Sequence, residues 1–265
     1  MLVIAGFQLQ AMRSGALRAF EDRTLIHLAR YFPRHLQLLG EVVLRRVIRL
    51  GLDKATGYGL APECCVRSYV EFMCRLGSAF DTDPLLPWAA RILADQTRPP
   101  VVRGDRLYDE AWQYIDAISA DYRDATGAPT TARFAQELKQ LRHGSDAAVP
   151  TADLAAVAAR LAARLQDQFP AKCAYVGEPR VHVSVARAVG EARAHGLAGE
   201  RGITLFAVLQ FVLGHGFADD PLLPFADAAL GAGVLRDEPA RVDQLYAGGL
   251  DLLKRWWQSA PPVKA

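Results

Sequence analysis

No apolar run in this chain approaches the roughly 20 residues that a helix needs to span a bilayer, so a membrane-spanning segment is not expected. The opening Met1-Leu2-Val3-Ile4-Ala5-Gly6 has neither a basic start nor a long apolar stretch, and does not read as a secretory signal. Cysteine is scarce. Cys64, Cys65, Cys74 and Cys173 are the full set, three of them on one predicted helix and none with metal spacing such as C-x-x-C. They read as buried, reduced thiols of a cytosolic protein. Lysine is rare beside arginine and alanine is abundant, a composition that follows a high-GC genome rather than a binding surface. A net charge of +2 gives no argument for nucleic acid or an anionic membrane. Apolar and polar residues never alternate in strand fashion. Gly-x-Ser-x-Gly, P-loop and Rossmann glycine patterns are missing.

What the chain does have is one stretch written twice. Phe80-Asp81-Thr82-Asp83-Pro84-Leu85-Leu86-Pro87-Trp88-Ala89 returns as Phe217-Ala218-Asp219-Asp220-Pro221-Leu222-Leu223-Pro224-Phe225-Ala226, an offset of 137 residues. The same offset carries Gly77 to Gly214, Tyr69 to Phe206, Gly59-Leu60-Ala61 to Gly196-Leu197-Ala198, Gly40-Glu41 to Gly177-Glu178 and Phe32-Pro33 to Phe169-Pro170. After the motif the register slips by one, so that Leu107-Tyr108 meets Leu245-Tyr246. Self-similarity at a fixed period is read before any other signal. It predicts an all-α protein, a tandem duplication of a roughly five-helix unit packed as two lobes. Residues 1–125 form the first unit with an N-terminal arm, 126–150 a connecting helix and linker, and 151–265 the second unit.

Within the motif, Asp83 and Asp220 read as helix N-caps. Pro84 and Pro221 follow at N1, where a missing N–H is harmless, and Pro87 and Pro224 at N4. Phe80 and Phe217 precede the cap as in a hydrophobic staple. The leucines with Trp88 or Phe225 supply the apolar face. A metal site at Asp81 and Asp83 is the alternative, weakened because position 81 becomes Ala218 in the second copy.

Helical periods predict helices near residues 9–32, 41–56, 63–76, 84–94, 105–122 and 131–141, then 151–169, 178–195, 199–213, 221–231 and 238–259. The first eight residues read as an extended arm, and 142–151 as a linker.

The six histidines, His27, His35, His143, His182, His195 and His215, show no H-x-x-x-H pair and read as partly exposed polar positions. Arg45, Arg46 and Arg49 form a basic patch read as a solvated face, and Gly231-Ala232-Gly233 is too weak a glycine pattern to use. No catalytic, cofactor or metal residue is assigned. The adjacent Trp256 and Trp257 point about 100° apart on a helix, so one is expected inward. The other is then a candidate anchor for a partner protein.

Met1-Leu2-Val3-Ile4, Phe20-Glu21-Asp22-Arg23 leading to His27-Leu28, Phe32-Pro33, Tyr58-Gly59 and the motif at 80–89 together resemble a family of small, largely uncharacterised bacterial proteins. These are found with type VI secretion effector chaperones and spike-tip proteins. The likeness spans about Met1 to Tyr114. It implies a cytoplasmic, non-enzymatic adaptor or co-chaperone that holds an effector or its loading chaperone, with no nucleic-acid or membrane partner, and it carries no active-site residues over. An immunity protein that blocks a toxin, and an enzyme whose site assembles from scattered residues, are the alternatives from other classes.

Overall fold

The computed structural model describes residues 6–124, 126–128, 130–231 and 237–258, with side chains from 14 to 255 of these. They form twelve α-helices and no strand. The helices are α1 (Gly6–Tyr31), α2 (Pro33–Gly57), α3 (Glu63–Leu76), α4 (Pro87–Ala94), α5 (Pro100–Ile118) and α6 (Ala132–Leu141). There follow α7 (Leu154–Gln168), α8 (Pro170–Val176), α9 (Glu178–Ala194), α10 (Glu200–Leu213), α11 (Pro224–Leu230) and α12 (Glu238–Gln258). No helix of the described residues is long and apolar enough to cross a membrane.

Residues 6–8 are helical, where an extended arm was expected. Nothing interrupts α1 until Pro33, which drives Phe32 out of the helical region (φ −130°, ψ 50°). The chain then restarts at Pro33, earlier than the expected Glu41, because proline is at home in a first helical turn. Gly40 breaks α2 with φ 73° and ψ 168°. In the second half Gly177 (φ 90°, ψ 136°) separates α8 from α9 at the same place.

Several element spans recur 137 residues on. Helix α3 corresponds to α10, each closed by a glycine of positive φ, Gly77 (95°) and Gly214 (105°). A single 3₁₀ turn follows each, at Phe80–Thr82 and Phe217–Asp219. The next residues, Asp83 (φ −68°, ψ 121°) and Asp220 (φ −74°, ψ 119°), share one backbone geometry.

The capping assignment needs correction. Helices α4 and α11 begin at Pro87 and Pro224, so these prolines occupy N1, and Pro84 and Pro221 lie in the turn before. A helix running from Pro84 would need Leu86 in helical geometry, which the following Pro87 disfavours. Leu86 (φ −120°, ψ 52°) and Leu223 (φ −126°, ψ 60°) lie outside the helical region accordingly. Asp83 and Asp220 instead make local turns, each accepting from an amide two residues on. Phe80 and Phe217 have their ring partners on α3 and α10, with Tyr69 and Phe206 each at 4.9 Å.

The buried apolar residues form a single cluster running through both halves. Trp88 lies in it, and Phe225 packs on it half-buried. Helix α6 adds Phe134, Leu138 and Leu141, packing on α10 and α12. The linker is pinned rather than loose. Arg201 N–H donates to the Ser145 carbonyl (2.9 Å), Val149 N–H to that of Ala198 (2.8 Å), and Ala148 bridges Gly199.

Candidate functional site

The two motifs meet each other. Asp83 Oδ1 accepts from the Leu85 amide (2.8 Å) and Asp220 Oδ1 from that of Leu222 (2.8 Å). Their second oxygens cross the seam. Ser78 N–H donates to Asp220 Oδ2 (2.8 Å), and His215 N–H donates to Asp83 Oδ2 (3.1 Å). Residues 78 and 215, like 83 and 220, are equivalent at the 137-residue offset, so the exchange is reciprocal, as in an isologous contact. Gly77 and Gly214 lie back to back between the two carboxylates. A Cβ on Gly214 would stand 2.6 Å from the Leu76 carbonyl oxygen, and one on Gly77 3.0 Å from that of Leu213.

Two clefts flank this seam. The larger, about 570 Å³, is lined by Phe32, Leu86, Ile115, Ile118 and Leu213, with Arg75, Asp83, Arg123 and Lys172 as charged groups. The smaller, about 280 Å³, is lined among others by Asp220, Leu222, Leu223, Leu252, Leu253 and Phe134 of α6. His35, Cys74, Arg75, Tyr122, Val212 and Leu213 line both, so the two are one groove bent over the seam. A volume of this size falls within the roughly 300–1,000 Å³ typical of ligand pockets.

His35 and Lys172, equivalent positions, are buried in its wall. His35 Nε2 bonds the Cys74 carbonyl (3.1 Å) and Lys172 Nζ the carbonyl of Phe211, and residues 74 and 211 are again equivalent. Each caps a carbonyl near the end of α3 or α10 that the helix leaves open. Lys172 also lies over the Phe211 ring, 4.4 Å from its centroid. Asp121 holds the backbone amides of Ala171 and Lys172 at 3.1 and 2.7 Å.

Burial pushes the His35 imidazole down to about 4, with the Cys74 carbonyl opposing and the Arg75 charge adding. Burial likewise brings the Lys172 amine down to about 8, against the Asp83 and Asp121 charges. The sign follows. Between pH 4 and 6.5 the unfolded chain binds a proton at residue 35 that the native state refuses, so stability falls as the pH is lowered through that window. From this residue alone the loss between pH 7 and pH 4 should be about 3 kcal/mol. His35→Gln keeps a donor for Cys74 and should flatten that part of the profile, read by urea denaturation at several pH values.

Asp81 is spoken for by protein groups, accepting from Lys54 Nζ (2.9 Å) and Tyr58 Oη (3.0 Å). In the second half the same places hold Ala218, Glu191 and His195, and Glu191 pairs with Arg187 (2.7 Å). No cluster of three metal-ligating side chains occurs among the described residues.

Two arginines of the basic patch are engaged by carboxylates. Arg49 Nε donates to the buried Glu21 at 2.6 Å, and Arg45 binds Asp22 (2.7 Å) and Glu41 (2.8 Å). The reading of the histidines as partly exposed fails at His35, which is only 6% exposed. Of the thiols, Cys65 and Cys173 are buried, Cys74 half-buried and Cys64 exposed; all four are free. Trp256 and Trp257 fall on the last turns of α12, but their side chains lie outside the described residues, as does Gly233.

Sequence reading missed Arg75, Tyr122 and the burial of the 35/172 pair. The available signal was that the matched positions 35 and 172 are polar on otherwise apolar faces. No protein-family model, no curated protein and no solved structure matches this chain.

Proposed function

We propose that this chain is a non-enzymatic protein-binding adaptor or co-chaperone, and that the seam groove receives its partner. The observation that carries the reading is the groove itself. It is open and mostly apolar, and its walls are fixed by reciprocal hydrogen bonds that reach across the two halves. An adaptor needs apolar surface that its own core does not consume. The resemblance to proteins accompanying type VI secretion makes the partner a secreted effector or its loading chaperone, held in the cytoplasm before export. The same reading takes residues 1–125 and 151–265 as copies of one helical unit joined through 126–150. The two copies differ where the groove needs different side chains.

A photo-crosslinking amino acid at Ile118, on the groove lip, tests this against one at Ile26, which is exposed on α1 and outside the groove. In the native host, the Ile118 position should capture an effector or its chaperone and the Ile26 position should not. Capture from Ile26 alone, or from neither, would overturn the groove as the adaptor surface.

A further inference from the structure

Arg75 stands on the last turn of α3 at the groove's lip, lining both clefts. Its guanidinium lies 4.7 Å from the centroid of the Phe32 ring and 4.9 Å from that of Trp112. Stacking on ring faces fixes the guanidinium plane and leaves its N–H donors pointing out along the edges. Among the described residues, no carboxylate or carbonyl accepts from those donors. The other charges nearby are already engaged. Both oxygens of Asp83 take backbone amides, Lys172 is held by the Phe211 carbonyl, and Arg123 Nη1 donates to the Gly127 carbonyl (2.8 Å). The position equivalent to Arg75 in the second half is Val212, on the same groove. Among the described residues, Arg75 is therefore a cation of the groove without an acceptor, held over ring faces beside apolar walls. A fork of this kind suits a carboxylate bound by two parallel hydrogen bonds.

We infer that the partner is a peptide segment that seats apolar side chains between Ile115, Ile118 and Leu213 and pairs a carboxylate with the Arg75 guanidinium. The inference rests on the adaptor reading and specifies the chemistry of the partner.

The test begins with a displayed library of random 12-residue peptides selected on the full chain. Selected peptides should carry Asp or Glu, or use their terminal carboxylate, next to Leu, Ile or Phe. One such peptide is then synthesised with its acid and with the matching amide, and both are measured by fluorescence anisotropy against wild type, Arg75→Gln, Arg75→Lys and Ile118→Glu. Arg75→Gln should weaken the acidic peptide by about tenfold or more, as loss of a charge-assisted pair does. It should leave the amide peptide unchanged, a coupling that mere loss of packing would not produce. Arg75→Lys, which keeps charge without the fork, should fall between. If the selected peptides lack acids, lose binding on Ile118→Glu and ignore Arg75→Gln, the carboxylate contact is wrong and the adaptor groove stands. Peptides indifferent to Ile118→Glu, or a selection that enriches nothing, would overturn the groove itself and this inference with it.

Discussion

Gly214→Ala should destabilise the protein by about 3–5 kcal/mol. Two penalties combine. The backbone at Gly214 has φ 105° and ψ 158°, a region essentially reserved for glycine, where a side chain costs on the order of 1–3 kcal/mol. The added carbon would also stand 2.6 Å from the Leu76 carbonyl oxygen. That oxygen belongs to the backbone of the other half and has no rotamer to escape into, so overpacking adds about 1–3 kcal/mol. Gly77→Ala shares the backbone penalty but meets its neighbour at 3.0 Å, so its effect should be smaller. Gly127→Ala is the control, because Gly127 also has positive φ (81°) and open space around it. Urea denaturation followed by circular dichroism should rank them 214, then 77, then 127. Equal effects at 214 and 127 would mean that the close approach contributes nothing.

Asp220→Ala should lower stability by about 2–5 kcal/mol, more than the 0.5–2 kcal/mol typical of a lost N-cap. The carboxylate is 3% exposed and serves two amides, those of Ser78 and Leu222. Each amide left buried without an acceptor costs about 1–3 kcal/mol. Asp220→Asn keeps the shape and one acceptor oxygen and should cost less. Burial raises the Asp220 carboxyl above its ordinary range, with the Ser78 and Leu222 amides opposing. The native state therefore holds this proton more tightly than the unfolded chain, and the residue's contribution to stability falls as pH rises between the unfolded and folded values. Asp220→Asn should remove that component of the profile. A pH dependence identical in wild type and Asp220→Asn would show that the carboxyl is not titrating there.

The helices were legible because their signals are local: apolar periods, prolines at restarts, and glycines after α3 and α10. The recurrence at 137 residues needed nothing more than the letters. The role of Asp83 and Asp220 was only half legible. An Asp before Pro announces a turn, but the second oxygen's partner sits more than 130 residues away, and no local rule carries that distance. Helix α4 starts at Pro87 rather than at Pro84 because Pro87 constrains Leu86. His35 looked like an ordinary polar residue because burial is a tertiary property. Arg75 was silent for the same reason, since the rings that clamp it come from the Phe32 turn and from α5.

The reciprocal bonds at the seam join residues 142 and 132 positions apart. Contacts that close so long a loop are entropically slow to form and belong late on a folding route. Each helical half can gather its own neighbours first, and the aspartate exchange then locks the pair. Interactions made after the transition state act chiefly on the escape rate from the native basin. Weakening the exchange should therefore raise the unfolding limb of a chevron plot while leaving the refolding limb almost in place. On this view the doubled motif is a latch on lifetime as well as a geometric frame, and sets how long the groove persists before the chain reopens.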